Sequence, residues 1–186
     1  MTQGTKIKVE VKKDHLNKIA QGTPLQCLAE LIWNALDADA TTVAVEIKET
    51  VLGAPEIHVS DNGSGFPLAE ARSLFSFLGG SWKAEKRVSP KYQRQLHGAE
   101  GKGRFKAFTL GRTVTWSVTY REGASLKSFT IEATSDNIQF FTVSAEKPSQ
   151  SSDTGVEITI GELHHRFKLL DLQYTASALS PLFALY

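Results

Sequence analysis

Cysteine is nearly absent. Cys27 stands alone in 186 residues, which excludes a disulfide framework and a multi-cysteine zinc site. No apolar run reaches the ~18 residues of a membrane helix. The N-terminal stretch MTQGTKIKVEVKK lacks the apolar centre of a signal peptide. Both absences predict a cytoplasmic chain with no membrane partner. Net charge is almost missing too, at +1, so the whole chain has no general attraction for polyanions. Repeats and low-complexity tracts are absent. What remains is ordinary globular material, 41% apolar and 22% charged. The length fits one domain over 1–186, large enough to bury on the order of 70% of its unfolded surface without a covalent or metal staple.

The charge is unevenly spread. Residues 83–106 hold eight basic side chains against Glu85 and Glu100, a local site for phosphate or a solvated loop. This stretch overlaps residues 79–103, which hold five glycines and no periodicity. A loop this long inside a domain is functional or disordered. Around it, alternation predicts strands over 5–12, 42–49, 56–60, 112–121, 125–133, 138–145 and 155–160. Helices are expected over 16–20, from Pro24 to Asp39, over 67–78, 104–110 and 163–185, the last broken at Ser180-Pro181. Helices fall mostly early and strands mostly late. The expectation is an α+β two-layer sandwich, a mixed, mostly antiparallel sheet with helices on one face.

Four constellations carry chemistry. On the helix from Leu25 to Asp39, with Glu30 at zero, Asn34 falls near +40° and Asp37 near −20° at about 100° per residue. The rest of that circle is apolar, so a buried helix bears one polar stripe. Such groups need partners: a structural hydrogen-bond network, a narrow solvent edge, or a pocket with a carboxylate base and an amide metal ligand. Second, Asp61-Asn62-Gly63-Ser64-Gly65 ends a strand. Asp61 shares parity with Ile57 and Val59 and should point inward, where it needs a donor such as an adenine amine; the same residues also make a plain turn. Third, Gly98-Ala99-Glu100-Gly101-Lys102-Gly103 opens a helix, and such a start offers amide donors to an anion. It has neither P-loop nor dinucleotide spacing. Fourth, Thr154 shares the parity of Val156, Ile158 and Ile160, so its hydroxyl faces inward toward a carbonyl or a ligand.

Taken in order, ELIWNALDADATTVAVEI, IHVSDNGSGF, GAEGKGRFKAF and DTGVEITI resemble the GHKL superfamily of gyrase, heat-shock chaperones, histidine kinases and MutL, most of all its MutL and MORC branch. The likeness spans residues 25–160. It implies the Bergerat fold, with ATP and Mg2+ as cofactors. By resemblance, Glu30 is the general base, Asn34 the magnesium ligand, and Asp37 a support from the same face. Asp61 accepts from the adenine amine, Gly65 leaves room for the base, and Thr154 helps Asp61. Gly98, Gly101 and Gly103 line the phosphates, Lys102 reaches one of them, and residues 79–103 form the lid. The implied activity is slow ATP hydrolysis driving a clamp in a larger protein, with ATP and ADP as ligands. A nucleotide-dependent homodimer and nucleic-acid contact through the basic lid are implied partners. The following domain that supplies a lysine to the γ-phosphate in this branch is expected to be absent from this chain.

Two departures stand out. Asp153 replaces the usual glycine before the late threonine, and Glu100 places an acid among the phosphate glycines. A histidine-kinase or anti-sigma type protein kinase shares the fold, and a non-hydrolysing nucleic-acid binding module is the other alternative. Cys27 and Trp33 read as core, and His164-His165 as no metal site.

Overall fold

Alternation along the strands decides which side of the sheet carries the helices. The computed structural model describes residues 22–76, 88–97, 103–164 and 171–184, together with the backbone of 5–8. Its strands are β1 (Thr5–Lys8), β2 (Val43–Glu49), β3 (Pro55–Asp61), β4 (Gly111–Glu122), β5 (Ser125–Thr134), β6 (Phe140–Val143), β7 (Lys147–Pro148) and β8 (Gly155–Leu163). They form one sheet in the order β1-β6-β5-β4-β8-β3-β2, with β7 alongside β5. Each pairing among the described residues is antiparallel, the orientation expected to dominate. Val114, Trp116, Val118 and Tyr120 of β4 are buried, while Thr113, Thr115, Ser117 and Thr119 between them are half-buried on the other face.

Helices α1 (Pro24–Asp37), α2 (Leu68–Ser76), α3 (Gly103–Lys106) and α4 (Leu172–Leu179) accompany that sheet. Cys27, Leu28 and Leu31 of α1, Ala71 and Phe75 of α2 and Phe105 of α3 join the sheet's apolar residues in one core. Phe75 meets Trp116 at 5.3 Å and Phe141 at 5.1 Å, both edge-on, an arrangement the ring quadrupoles favour. This is the expected α+β sandwich.

Local chemistry explains the helix limits. Thr23 and Gln26 form a reciprocal capping box at the start of α1, and Pro24 occupies its first turn. At the other end Asp39 takes φ +62°, a left-handed conformation that Asp tolerates better than most residues. The helix therefore stops at Asp37 rather than Asp39. The helix expected over 163–185 is corrected more heavily. Leu163 closes β8 opposite Gly111, and Asp171 caps a short α4 by accepting from the amides of Gln173 and Tyr174. Ser180–Leu182 then form a 3-10 turn at the expected proline break. Residues 9–21 and most of 79–103, expected as strand end, helix and loop, lie outside the described residues.

The topology has one consequence for function. β8 is the last of the described strands in the chain yet lies between β3 and β4. Ser60 faces Glu157 across that pairing, so the start of β8 is brought beside the turn after Asp61. The C-terminal end of α1 approaches the same turn, because the Ser64 amide donates to the Ala38 carbonyl at 2.9 Å.

Candidate functional site

The polar stripe of α1 is only partly engaged. Glu30 is half-buried, and no hydrogen bond or ion pair holds its carboxylate among the described residues. Asn34, one turn on, lies under the start of α3: a Cβ added at Gly103 would stand 2.7 Å from Asn34 Nδ2 and 3.4 Å from its Oδ1. A side chain at Gly103 would displace the Asn34 amide, so glycine here lets the helix start approach that amide as it stands. Asp37 is only 2% exposed. Its Oδ1 and Oδ2 accept from the His97 amide at 3.0 and 3.3 Å. The stripe therefore holds one carboxylate in a structural contact, one amide against the helix start, and one carboxylate with no partner among the described residues.

The turn after β3 presents a second open group. Asp61 continues the inward face of Ile57 and Val59, both buried. Its Oδ1 accepts from the Gly63 amide at 2.7 Å and the Val156 amide at 3.4 Å. Its Oδ2 has no partner among the described residues. Burial pushes the Asp61 carboxyl above its usual range, against the pull of the Gly63 and Val156 amides. Thr154 Oγ1 donates to the Gly63 carbonyl at 2.7 Å, so it acts one step from Asp61, on the turn that holds it. Gly65 has φ +60°, and a Cβ there would meet the Thr119 carbonyl oxygen at 2.2 Å. Clearance from the β4 backbone alone demands glycine at that position.

Several residues that hold the site together escaped the sequence reading. Asn62 Oδ1 accepts from the amides of Thr41 and Thr42 at 2.8 and 2.9 Å, and its Nδ2 donates to Thr41 Oγ1 at 2.8 Å. This stitches the exit of α1 to the Asp61 turn. Asp39 Oδ1 accepts from Ser89 Oγ at 2.5 Å and the Tyr92 amide at 3.0 Å, and Oδ2 from the Lys91 amide at 2.8 Å. Arg94 Nη1 donates to the Ala40 carbonyl at 2.5 Å and the Leu36 carbonyl at 3.4 Å, where a helix C-terminus welcomes a cation. Burial alone would raise the Asp39 carboxyl. The Ser89 hydroxyl, the Lys91 and Tyr92 amides and Arg94 outweigh it and hold that carboxyl below its usual range. Residues 88–97 are therefore clamped to the end of α1, with a bridge between Val88 and Gln95.

Other expectations resolve residue by residue. Gly98, Gly101 and Lys102 lie outside the described residues. Of the basic stretch, Arg94 is engaged at α1, and Arg104 stands over the rings of Phe105 and Phe75. Burial lowers the Arg104 pKa to about 10. Cys27 is fully buried and burial raises its thiol pKa, as packing predicts. Trp33 is half-buried rather than core. It stacks on His97 with ring centroids 3.6 Å apart. His164 Nε2 lies 3.0 Å from the Phe108 carbonyl oxygen. No helix among the described residues is long and apolar enough to cross a membrane.

The chemistry of the donors can be tested against the implied ligands. Among the described residues no cluster of three His, Cys, Asp or Glu side chains could by itself cage a metal. A divalent cation near Asn34 and Glu30 would need phosphate and water oxygens to complete its shell, which suits magnesium, a cation that keeps waters and binds phosphates. Asp61 Oδ2 suits an amine donor that arrives with a ligand.

Residues 23–158 match the family described as histidine kinase-, DNA gyrase B- and HSP90-like ATPase. The chain is 32% identical over 127 residues to the DNA mismatch repair protein MLH1 of Saccharomyces cerevisiae, a match covering 61% of this chain and 16% of that protein. It is 37% identical over 75 residues to the DNA mismatch repair protein MutL of Methanoculleus marisnigri, covering 38% and 13%. The Staphylococcus aureus MutL is 39% identical over 70 residues, covering 36% and 10%. The matched segments thus span less than a fifth of these relatives' length.

Proposed function

Because the chain belongs to the histidine kinase-, DNA gyrase B- and HSP90-like ATPase family, and so carries its ATP-binding domain, we propose that it binds Mg-ATP between α1 and the Asp61 turn and hydrolyses it slowly. The observation that carries this reading is the division of labour within Asp61. Oδ1 is fixed by two backbone amides, and Oδ2 is left with no partner among the described residues. A carboxylate oriented in this way accepts the exocyclic amine of adenine and discriminates against a base with a carbonyl there. Thr154 and Gly63 hold the turn in place, and Gly155, whose Cβ would fall 2.0 Å from the Asp61 carbonyl oxygen, lets β8 close against it.

On the opposite side Glu30 supplies the base. Its carboxylate, one helical turn from Asn34 and with no partner among the described residues, would take a proton from the attacking water and orient it toward the phosphates. Asn34 Oδ1 would hold a magnesium ion, which supplies charge neutralisation to the phosphates when bound. Gly103 presents its backbone next to that amide, and by the resemblance Gly98, Gly101 and Lys102 would complete the phosphate contacts. In a longer protein this chemistry would drive a nucleotide-dependent dimer clamp, as the resemblance to the MutL branch implies.

Thermal melting tests the ATP reading. With Mg-ATP at about a hundred times its dissociation constant, stability rises by ~2.7 kcal/mol. An unmoved melting temperature at millimolar nucleotide overturns it. Release of phosphate, and not transfer to a protein side chain, separates hydrolysis from kinase chemistry.

A further inference from the structure

Trp33 and Asp37 lie four residues apart on α1 and so share one face. Both engage the same residue. Asp37 accepts the His97 backbone amide at 3.0 Å, while the Trp33 ring stacks on the His97 imidazole at 3.6 Å and 14° between planes. The first contact sets where the backbone runs. The second restrains the His97 side chain, because a stacked ring loses rotational freedom. Phe183, beyond α4, meets the same indole at 4.5 Å. Trp33 itself precedes Asn34, the amide that Gly103 crowds. One turn of helix thus reads three separate parts of the chain: the clamped segment 88–97, the start of α3 and the segment after α4.

We infer that Trp33 is a positioning residue for nucleotide binding: by stacking on His97 it fixes the clamped segment against α1, the helix that carries Asn34, and through Phe183 it makes that setting depend on the segment after α4. The inference rests on the ATP reading above. Aromatic pairs contribute beyond their buried area by an amount equal to roughly a twofold to tenfold change in an equilibrium. Among the described residues, His97 and Phe183 both pair with Trp33 in this way.

The experiment uses the full chain and three variants: Trp33→Ala, Trp33→Phe and Phe183→Ala. Three quantities are read: Mg-ATP affinity by calorimetry, the melting temperature, and hydrogen exchange at the His97 amide by NMR. Trp33→Ala is expected to speed His97 exchange and weaken ATP roughly threefold to tenfold. Trp33→Phe recovers most of both, since a smaller ring still stacks. Phe183→Ala has a smaller effect in the same direction. It also serves as the test if Trp33→Ala does not fold, because it leaves α1 untouched; unchanged affinity in Phe183→Ala then overturns the coupling. ATP affinity unchanged in Trp33→Ala beside faster His97 exchange overturns the positioning role. Equal losses in Trp33→Ala and Trp33→Phe show that ring stacking does not position the segment and overturn the inference as well. A wild-type chain that binds no ATP overturns the ATP reading itself, a result distinct from any difference between variants.

Discussion

Asp39 and Asp61 stand on two sides of one junction, which Asn62 ties together through Thr41 and Thr42. Their surroundings differ in kind. Both oxygens of Asp39 are engaged, by a hydroxyl and two amides, with Arg94 nearby. Asp61 has one oxygen engaged and one without a partner among the described residues. The stripe of α1 repeats the contrast, with Asp37 held by His97 and Glu30 by nothing described. A carboxylate with full partners stabilises the fold and offers a ligand little. One held by half its lone pairs is oriented and still has acceptor capacity, at a cost in desolvation. The satisfied acids clamp residues 88–97, and the unsatisfied ones face the nucleotide in the proposed function.

The largest effect that this contrast predicts concerns Glu30. Glu30→Gln keeps shape and hydrogen-bonding capacity and removes the base. Hydrolysis should fall roughly 10²–10⁴-fold, with ATP affinity and melting temperature close to wild type. Steady-state phosphate release paired with calorimetry reads both. A variant with wild-type turnover removes Glu30 from the mechanism, and one that no longer binds makes it structural, which would erase the distinction from Asp37.

Asp61→Asn comes next. The amide oxygen can still accept from Gly63 and Val156, but its NH2 then confronts the adenine amine. ATP affinity should drop about a hundredfold, the scale of losing a charge-assisted bond and opposing two donors. Folding stability without nucleotide should not fall, because the buried charge that raises this carboxyl's pKa is gone. Unchanged ATP affinity would show that the open oxygen has no ligand role.

Much of this contrast is legible in the sequence. Period two placed Asp61 inward with Ile57 and Val59, and period 3.6 set Glu30, Asn34 and Asp37 on one stripe. Both arguments need only local geometry. What escaped was the satisfaction of the acids. Ser89 and Arg94 lie some fifty residues from Asp39 and Ala40, and no period connects them. A signal did exist: in Asp37-Ala38-Asp39-Ala40 the second Asp is the residue best suited to the left-handed turn that ends α1. Trp33 misled because an indole among apolar neighbours reads as core, whereas here it is a surface on which His97 rests. The helix drawn over 163–185 failed for a related reason. Leu163 suits either period, and only its register against Gly111 assigns it to β8.

The smallest effect is the sharpest test of the comparison, because the two aspartates should respond to pH with opposite signs. Asp39→Asn keeps the left-handed conformation tolerable and removes only the charge. It should cost about 1–2 kcal/mol at neutral pH, the range for bonds to a charged acceptor that the amide partly replaces. The Asp39 carboxyl is held below its usual value. Its charge therefore stabilises the fold above the unfolded pKa of about 3.9, and that advantage is lost as pH falls toward the folded value. The gap between wild type and Asp39→Asn should close in acid. Asp61 is held above its usual value. Its charge therefore costs stability above its folded pKa, and the cost disappears as pH falls from there to about 3.9. In melting temperatures from pH 3 to 7 without nucleotide, wild type should lie above Asp39→Asn and below Asp61→Asn at neutral pH, and both differences should shrink in acid. Two differences of the same sign would mean that Asp61 is as fully satisfied as Asp39, and that its second oxygen is not waiting for a ligand.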